Sequence, residues 1–402
     1  MVPAPPPPPL PSVAPESSAD WPPWWVRGGR LAGKYSLLRQ VAGRAKPGSD
    51  GWCAAQLRLG WAAALSDDLA GALGHATALR DAAAERGPCR ELADGLASRS
   101  GILTAMGRSA EAADEARRAL AVARELGYPA GEARALAYLS VAANGVGDYD
   151  RAVRLARQAA QVTNGVPGSE SRWVSYVLTG ALIEAGDPAA AEPVCAVTLA
   201  RSRDAGDLYN QANLLSTAVT LDLEAGRLQD AAAHLREALE LDIRTASSGE
   251  LDNALDCCGL LCAATGRPAE AITVWASRTA HLRHQEIPEW PQDARRREGP
   301  LRQARQALGP DRTRAAEERG AAMTMETAAE YALMLTDPGP PPAAGRGRGR
   351  ASSAPGSGSW SPWSPRAAPT RRSPRSCTSA SAPSARTWTG SGTRPAAAAA
   401  PT

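Results

Sequence analysis

Along most of the chain, small or apolar residues return every three or four positions, in stretches separated by short breaks centred on glycine. That period predicts α-helices, each burying one face. After a break the pattern runs as Ala112, Ala116, Ala119 and Leu120, or as Ala231, Leu235, Ala238 and Leu239. Before a break it runs as Leu139, Ala143 and Val146, and again as Leu178, Leu182 and Ala185. The break itself is a glycine, four variable positions and an alanine. It stands at Gly107 to Ala112, Gly147 to Ala152, Gly186 to Ala191, Gly226 to Ala231 and Gly266 to Ala271, with Asp67 to Ala72 as a degenerate first copy. Successive copies lie about 40 residues apart, an interval that marks a stacked array of supersecondary units.

Each copy reads as two helices joined at the glycine, which suits the left-handed conformation that ends a helix, while the alanine lets the partner helix approach. The unit resembles a tetratricopeptide repeat with helices lengthened beyond the usual period of about 34. The predicted fold class is therefore all-α, a tetratricopeptide-like α-solenoid of antiparallel helix pairs over residues 48–287. Residues 24–47 predict one helix of a partial repeat, so that the array begins mid-repeat, as in a cut chain. Residues 1–23, with their run from Pro5 to Pro9, read as a disordered Pro-rich spacer. Residues 291–336 predict a charged helical linker broken at Pro300 and Pro310, with Thr324 capping its last helix. Residues 337–402 read as a disordered tail rich in Arg, Ser, Pro and Ala.

Composition agrees with packed Ala and Leu helices. The 402 residues are 44% hydrophobic, with no Phe and only 4% aromatics, which disfavours a β-sandwich. No apolar run reaches the length of about 18 residues that a membrane span requires, and the expected location is cytoplasmic. Gly28, Gly33 and Lys34 have the spacing of a phosphate-binding loop, but Tyr35 stands where magnesium needs Ser or Thr, so no ATP site is assigned. Cys258 and Cys262 share a helix face, as metal ligands could, yet together with Cys257 and Cys195 they fall in slots that Leu or Ala fills elsewhere. They read as core thiols. His75 and His234 occupy slots of Leu155, Val194 and Val274, and His281 and His284 sit where a cation favours a helix terminus. No Ser, His and Asp constellation and no recurring carboxylate pair stands in the array. The expectation is a non-enzyme, with no catalytic residue, cofactor or metal.

One slot contrasts with the alanines around it. Thirteen positions before successive turns lie Asp94, Arg134, Trp173, Asn213 and Asn253. Equal offsets in stacked repeats align along the array, so these five predict a concave groove that receives a protein, a peptide or a small-molecule effector.

The tail changes the picture again. Past Asp337 it holds nine Arg and no acidic residue, and a whole-chain charge of +3 less the tail's +9 leaves the remainder at −6. Arg, Ser, Pro, Ala, Thr and Trp without Ile or Leu is what GC-rich DNA encodes out of frame. Reading codons from the third base of each tail codon, Trp388 followed by Thr389 becomes Asp, and residues 352–402 become a string similar to the helix-turn-helix of LuxR-type transcription regulators. The in-frame chain from about Trp21 to Asp337 resembles the tetratricopeptide-like sensor region of the large ATP-binding members of that family. The resemblance includes Asp204-Ala-Gly-Asp207, Cys257-Cys258-Gly259 and Ala315-Ala-Glu-Glu-Arg-Gly320. It implies an effector-binding scaffold whose DNA-binding domain is lost to a frameshift, with no specific DNA binding as translated and no ATPase of its own. Two other readings stay open: a stand-alone tetratricopeptide adaptor binding a peptide, and weak non-specific nucleic-acid binding through the Arg tail.

Overall fold

The computed structural model describes residues 31–165, 168–245 and 248–336. The expectations for residues 1–30 and for the tail from 337 onward lie outside the described residues. Among the described residues there are sixteen helices and no strand. A first helix, α1 (Leu31–Arg44), contains Gly33 and Lys34, so the would-be phosphate loop is helical there. Six pairs follow: α2 (Asp50–Ala64) with α3 (Leu69–Ala84), α4 (Arg90–Ala105) with α5 (Ser109–Glu125), α6 (Pro129–Gly145) with α7 (Tyr149–Val162), α8 (Ser169–Glu184) with α9 (Pro188–Ala205), α10 (Leu208–Glu224) with α11 (Leu228–Thr245), and α12 (Ser248–Ala264) with α13 (Pro268–His284). Three more helices end the described chain: α14 (Pro291–Leu308), α15 (Pro310–Ala321) and α16 (Met325–Leu335).

The turns inside the pairs share one backbone conformation. Gly107, Gly147, Gly186, Gly226 and Gly266 have φ between 72° and 80°, and Asp67 adopts φ 60° in the degenerate copy. The next amide reaches back five residues in every case, as in Arg108 N to Leu103 O at 2.8 Å, Asp148 N to Ala143 O at 2.9 Å and Asp68 N to Ala63 O at 3.0 Å. This is the bond pattern that satisfies the orphan carbonyls of a helix ending in a left-handed residue. Aspartates then start several following helices. Asp68, Asp148, Asp187 and Asp207 each accept a hydrogen bond from an amide in the first turn of α3, α7, α9 and α10.

Burial follows the sequence pattern. Ala112, Ala116, Ala119 and Ala123 of α5 are fully buried, as are Ala231, Leu235, Ala238 and Leu239 of α11. Each alanine removes little area from water, so stability is a sum over many such contacts between neighbouring pairs. Every first helix of a pair packs both on its own partner and on the first helix of the next pair. That double contact places α2, α4, α6, α8, α10 and α12 in an inner layer with their partners outside. Cys195, Cys257, Cys258 and Cys262 are all buried, and the thiols of Cys195 and Cys257 face the carbonyl oxygens of Leu214 and Ser216 at 3.5 Å. Burial pushes both thiols up to about 12, so they remain protonated hydrophobes.

The charged segment after α13 folds back on the array. α15 docks on α13 across Gly320, where an added Cβ would stand 2.1 Å from the Thr273 carbonyl oxygen. α16, with Thr324 as its N-cap, buries Ala328, Ala329 and Ala332 beside Cys258, and Arg267 donates to the carbonyl of Leu335 at 2.7 Å. Pro310 opens α15 as expected, but Pro300 does not break α14; it lies buried inside that helix. Pro193 likewise lies inside α9, after Glu192 rather than a glycine, so neither proline ends its helix.

Candidate functional site

The stripe predicted from equal offsets is on the inner layer, since all five of its residues belong to first helices. The structure joins part of it directly. Arg134 donates to Asp94 at 2.7 Å across one repeat, and to Glu170 of α8 at 2.7 Å across the next. Tyr128 brings its hydroxyl to the same Asp94 carboxylate at 3.3 Å. Burial pushes the Asp94 carboxyl up while Arg134 pulls it down, and Tyr128 is raised to about 12, chiefly by burial. Trp173 lies against Tyr138 with ring centroids 4.8 Å apart, and Tyr138 in turn covers Gly101, where a Cβ would meet its ring at 2.6 Å. An aromatic ladder of α4 backbone, Tyr138 and Trp173 thus runs beside the ladder of charges.

The other two stripe residues do not join these ladders. Asn213 spends its amide on the carbonyl of Tyr209 in its own helix, at 3.1 Å. Asn253 is half-buried on α12.

Several inner-layer residues escaped the single-slot reading. Arg58 sits beside Asp94 and Arg134, and burial together with the Arg134 charge lowers its pKa. It stands nine positions before Asp67, the offset that Tyr138 has from Gly147; the slot thirteen before Asp67 holds Ala54, so the stripe's own offset does not reach it. Glu170 lies three positions ahead of Trp173 and is visible only as an acid one helical turn from the slot. Arg172 and Ser169 both bond Asp207 of the next first helix, at 2.8 and 2.9 Å, extending the polar contacts between repeats. Trp61, 47% exposed, meets Tyr209 edge-on at 5.5 Å, which brings the first pair against the fifth. No pattern within one repeat announces a contact of that range.

Three of the four histidines are partnered, His75 with Gln56 at 2.7 Å, His234 with Asp222 at 2.8 Å and His281 with Asp67 at 2.9 Å, while His284 is exposed. The Asp67 hydrogen bond holds the His281 pKa above its usual value, a more specific cause than the helix terminus alone. Among the described residues no group of three or more His, Cys, Asp or Glu is placed to hold a metal ion. An open cleft between α14 and α15, lined by Leu301, Arg302, Arg305 and Pro310, shares no residue with the stripe. Among the described residues no helix is long and apolar enough to cross a membrane. Chemically, the inner layer offers paired charges, amides and aromatic faces.

No family model and no curated protein matches the chain. Among solved structures it is similar to a Rap protein complexed with competence and sporulation factor, at 12% identity and a TM-score of 0.46 over 68% of this chain and 79% of that one. It is similar to the apo form of RapI at 10% identity and a TM-score of 0.40, over 75% of this chain and 91% of that one. It is also similar to BtubC from P. vanneervenii at 16% identity and a TM-score of 0.38, over 63% of this chain and 98% of that one.

Proposed function

We propose that this helical-repeat array is a non-enzymatic binding scaffold, the sensor segment of a LuxR-type transcription regulator, and that its inner layer takes a peptide or a small effector. The observation that supports the binding reading is the convergence of Arg134, Asp94, Glu170, Tyr138 and Trp173 from three successive first helices on one surface. Charges paired between repeats and a half-buried aromatic pair are what a peptide with mixed polar and aromatic side chains would meet. The experiment is to pan a displayed peptide library against the full chain and to compare enriched peptides on Trp173→Ala and Arg134→Ala. Loss of about tenfold or more in affinity is expected for truncating a residue central to an interface. Enriched peptides that bind both variants as well as the parent would refute the inner-layer assignment.

The regulator parentage rests on the residues that resemble the family's sensor region and on the alternative frame over residues 352–402. The nucleotide sequence of the locus tests it. Codons that spell a helix-turn-helix in that frame support the parentage, and the same frame shift introduced between Asp337 and Ser352 restores a sequence-specific footprint. Codons that do not spell it leave a stand-alone tetratricopeptide adaptor as the better reading of the same array.

A further inference from the structure

From His281 to Arg297 the chain runs along the row of turns and meets the helix pairs in order. His281 bonds Asp67 in the first turn at 2.9 Å. Pro288 covers Gly107 in the second, where an added Cβ would be 3.2 Å from its ring. Trp290 lies beside Gly145 in the third, with 3.8 Å from an added Cβ to its ring, and Arg295 reaches the Tyr149 hydroxyl just after that turn. Arg296 pairs with Glu184 in the fourth and faces Glu224 in the fifth. Arg297 pairs with Asp256 of the sixth pair at 2.8 Å. Seventeen consecutive residues thus link pairs that lie up to 214 positions away, almost wholly through side-chain tips.

We infer that residues 281–297 are a proton-sensitive strap that holds the six pairs in one superhelical pitch and loosens as a unit when the pH rises from mildly acidic to mildly alkaline. The geometry supplies the first half: a segment fastened once to every pair fixes the angle between all of them, and an array of stacked repeats has few other contacts between distant units. The charge inventory supplies the second. On the strap or against it stand five arginines: Arg283 and Arg295 are exposed, and Arg278, Arg296 and Arg297 are the ones turned into the array. Six carboxylates face them: Glu184 from α8, Glu224 from α10, Asp252 and Asp256 from α12, Glu289 from the link before α14, and Asp293 on α14. Asp67 from the α2–α3 turn and Glu326 from α16 add negative charge around His281. Fully ionised, the cluster carries more acid than base in a half-buried place, so bound protons stabilise it.

The affected groups agree in sign. Burial pushes Glu224 up to about 7; burial and Asp256 push Asp293 up to about 7, and burial raises Asp252 to about 6. His281 is raised by its hydrogen bond to Asp67. A group raised in the folded state contributes stability that is complete below its unfolded value and is lost as pH climbs through its folded value. All four therefore fasten the strap in acid: Asp252 lets go by about pH 6, Glu224 and Asp293 by about pH 7, and His281 as the pH climbs through its raised value. Glu289 runs the other way, because Arg297 and Arg278 outweigh its burial and lower it. Its pairs fail only in stronger acid, which gives the closed state a lower limit.

The test is amide hydrogen exchange on the full chain at about pH 5.5 and about pH 8, corrected for intrinsic rates. Peptides covering residues 285–297 should lose roughly tenfold or more in protection at the higher pH, while α5 peptides keep theirs. Glu224→Gln with Asp293→Asn should hold the strap protected at both values, and Arg296→Ala should leave it unprotected at both. Equal wild-type protection at the two values would overturn the inference, as would a pH dependence undiminished by the paired amide substitutions. Loss of protection in α5 alongside the strap would also overturn it, since the segment would then be melting with the array instead of releasing from it. The outcome does not depend on what occupies the inner layer.

Discussion

Ala116 has no exposed surface, and its methyl lies where α5 meets its neighbours. Ala116→Asp would bury an unpaired carboxylate there, and a loss on the order of 3 kcal/mol is expected in chemical denaturation. An unchanged melting temperature would contradict the packing register. Arg134 presents a different balance, since its side chain is about a fifth exposed and bonds two carboxylates, Asp94 and Glu170. Arg134→Ala leaves those acids facing each other; allowing for solvent screening, a cost of about 1–2 kcal/mol is expected. Asp94→Asn added to that variant should recover part of the loss, and a double-mutant cycle by urea denaturation measures the coupling. Asp94 and Arg134 were legible in the chain, because equal offsets from the turn line up in stacked repeats, whereas Glu170 lies outside that offset. Which of them touch was not legible. Arg134 reaches both neighbours, whereas Asn213 turns back to its own helix, and only side-chain positions distinguish the two.

Among the elements, the helix pairs follow from local chemistry, and α15 shows what lies beyond it. Its sequence reads as part of a charged linker, yet Gly320 and Ala316 let it press on α13, with Thr273 donating to the Ala316 carbonyl at 3.3 Å. Gly320→Ala would drive a methyl against the Thr273 backbone, which cannot rotate away. A destabilisation of about 1–3 kcal/mol is expected, with the largest rise in hydrogen exchange on residues 310–321. Exchange confined to other helices would show that α15 is not held by this approach. α16 offers a second check. Deleting residues 325–336 should uncover Cys258, whose thiol faces the Ala332 carbonyl at 3.9 Å, and make it react with an alkylating reagent that mass mapping detects. Pro300 marks the limit of reading breaks from proline alone, since both it and Pro193 are carried inside helices.

At the scale of the molecule the array returns on itself, with the first pair meeting the fifth through Trp61 and Tyr209 and the sixth through Asp67 and His281. His281 carries a raised pKa, so its contribution is present in full below about pH 6.5 and is lost as pH rises through the folded value. The stability gap between the parent and His281→Ala should therefore be largest in mild acid and should shrink as the pH rises through the folded value. A gap that widens with pH would reverse the assigned charge state of the clasp.

The sequence by itself determined the repeat, the turns and the buried faces. Each depends on residues within one helical pair: a left-handed glycine, an aspartate cap, and alanines at helical spacing. It also placed one inner stripe, because periodicity carries alignment from one pair to the next. Tertiary structure alone decided the closure between distant pairs and the course of the strap. Both depend on a curvature that accumulates in small rotations over six pairs, and no local pattern encodes their sum. A salt bridge such as Arg296 with Glu184 joins residues 112 positions apart and exists only if that sum brings them together.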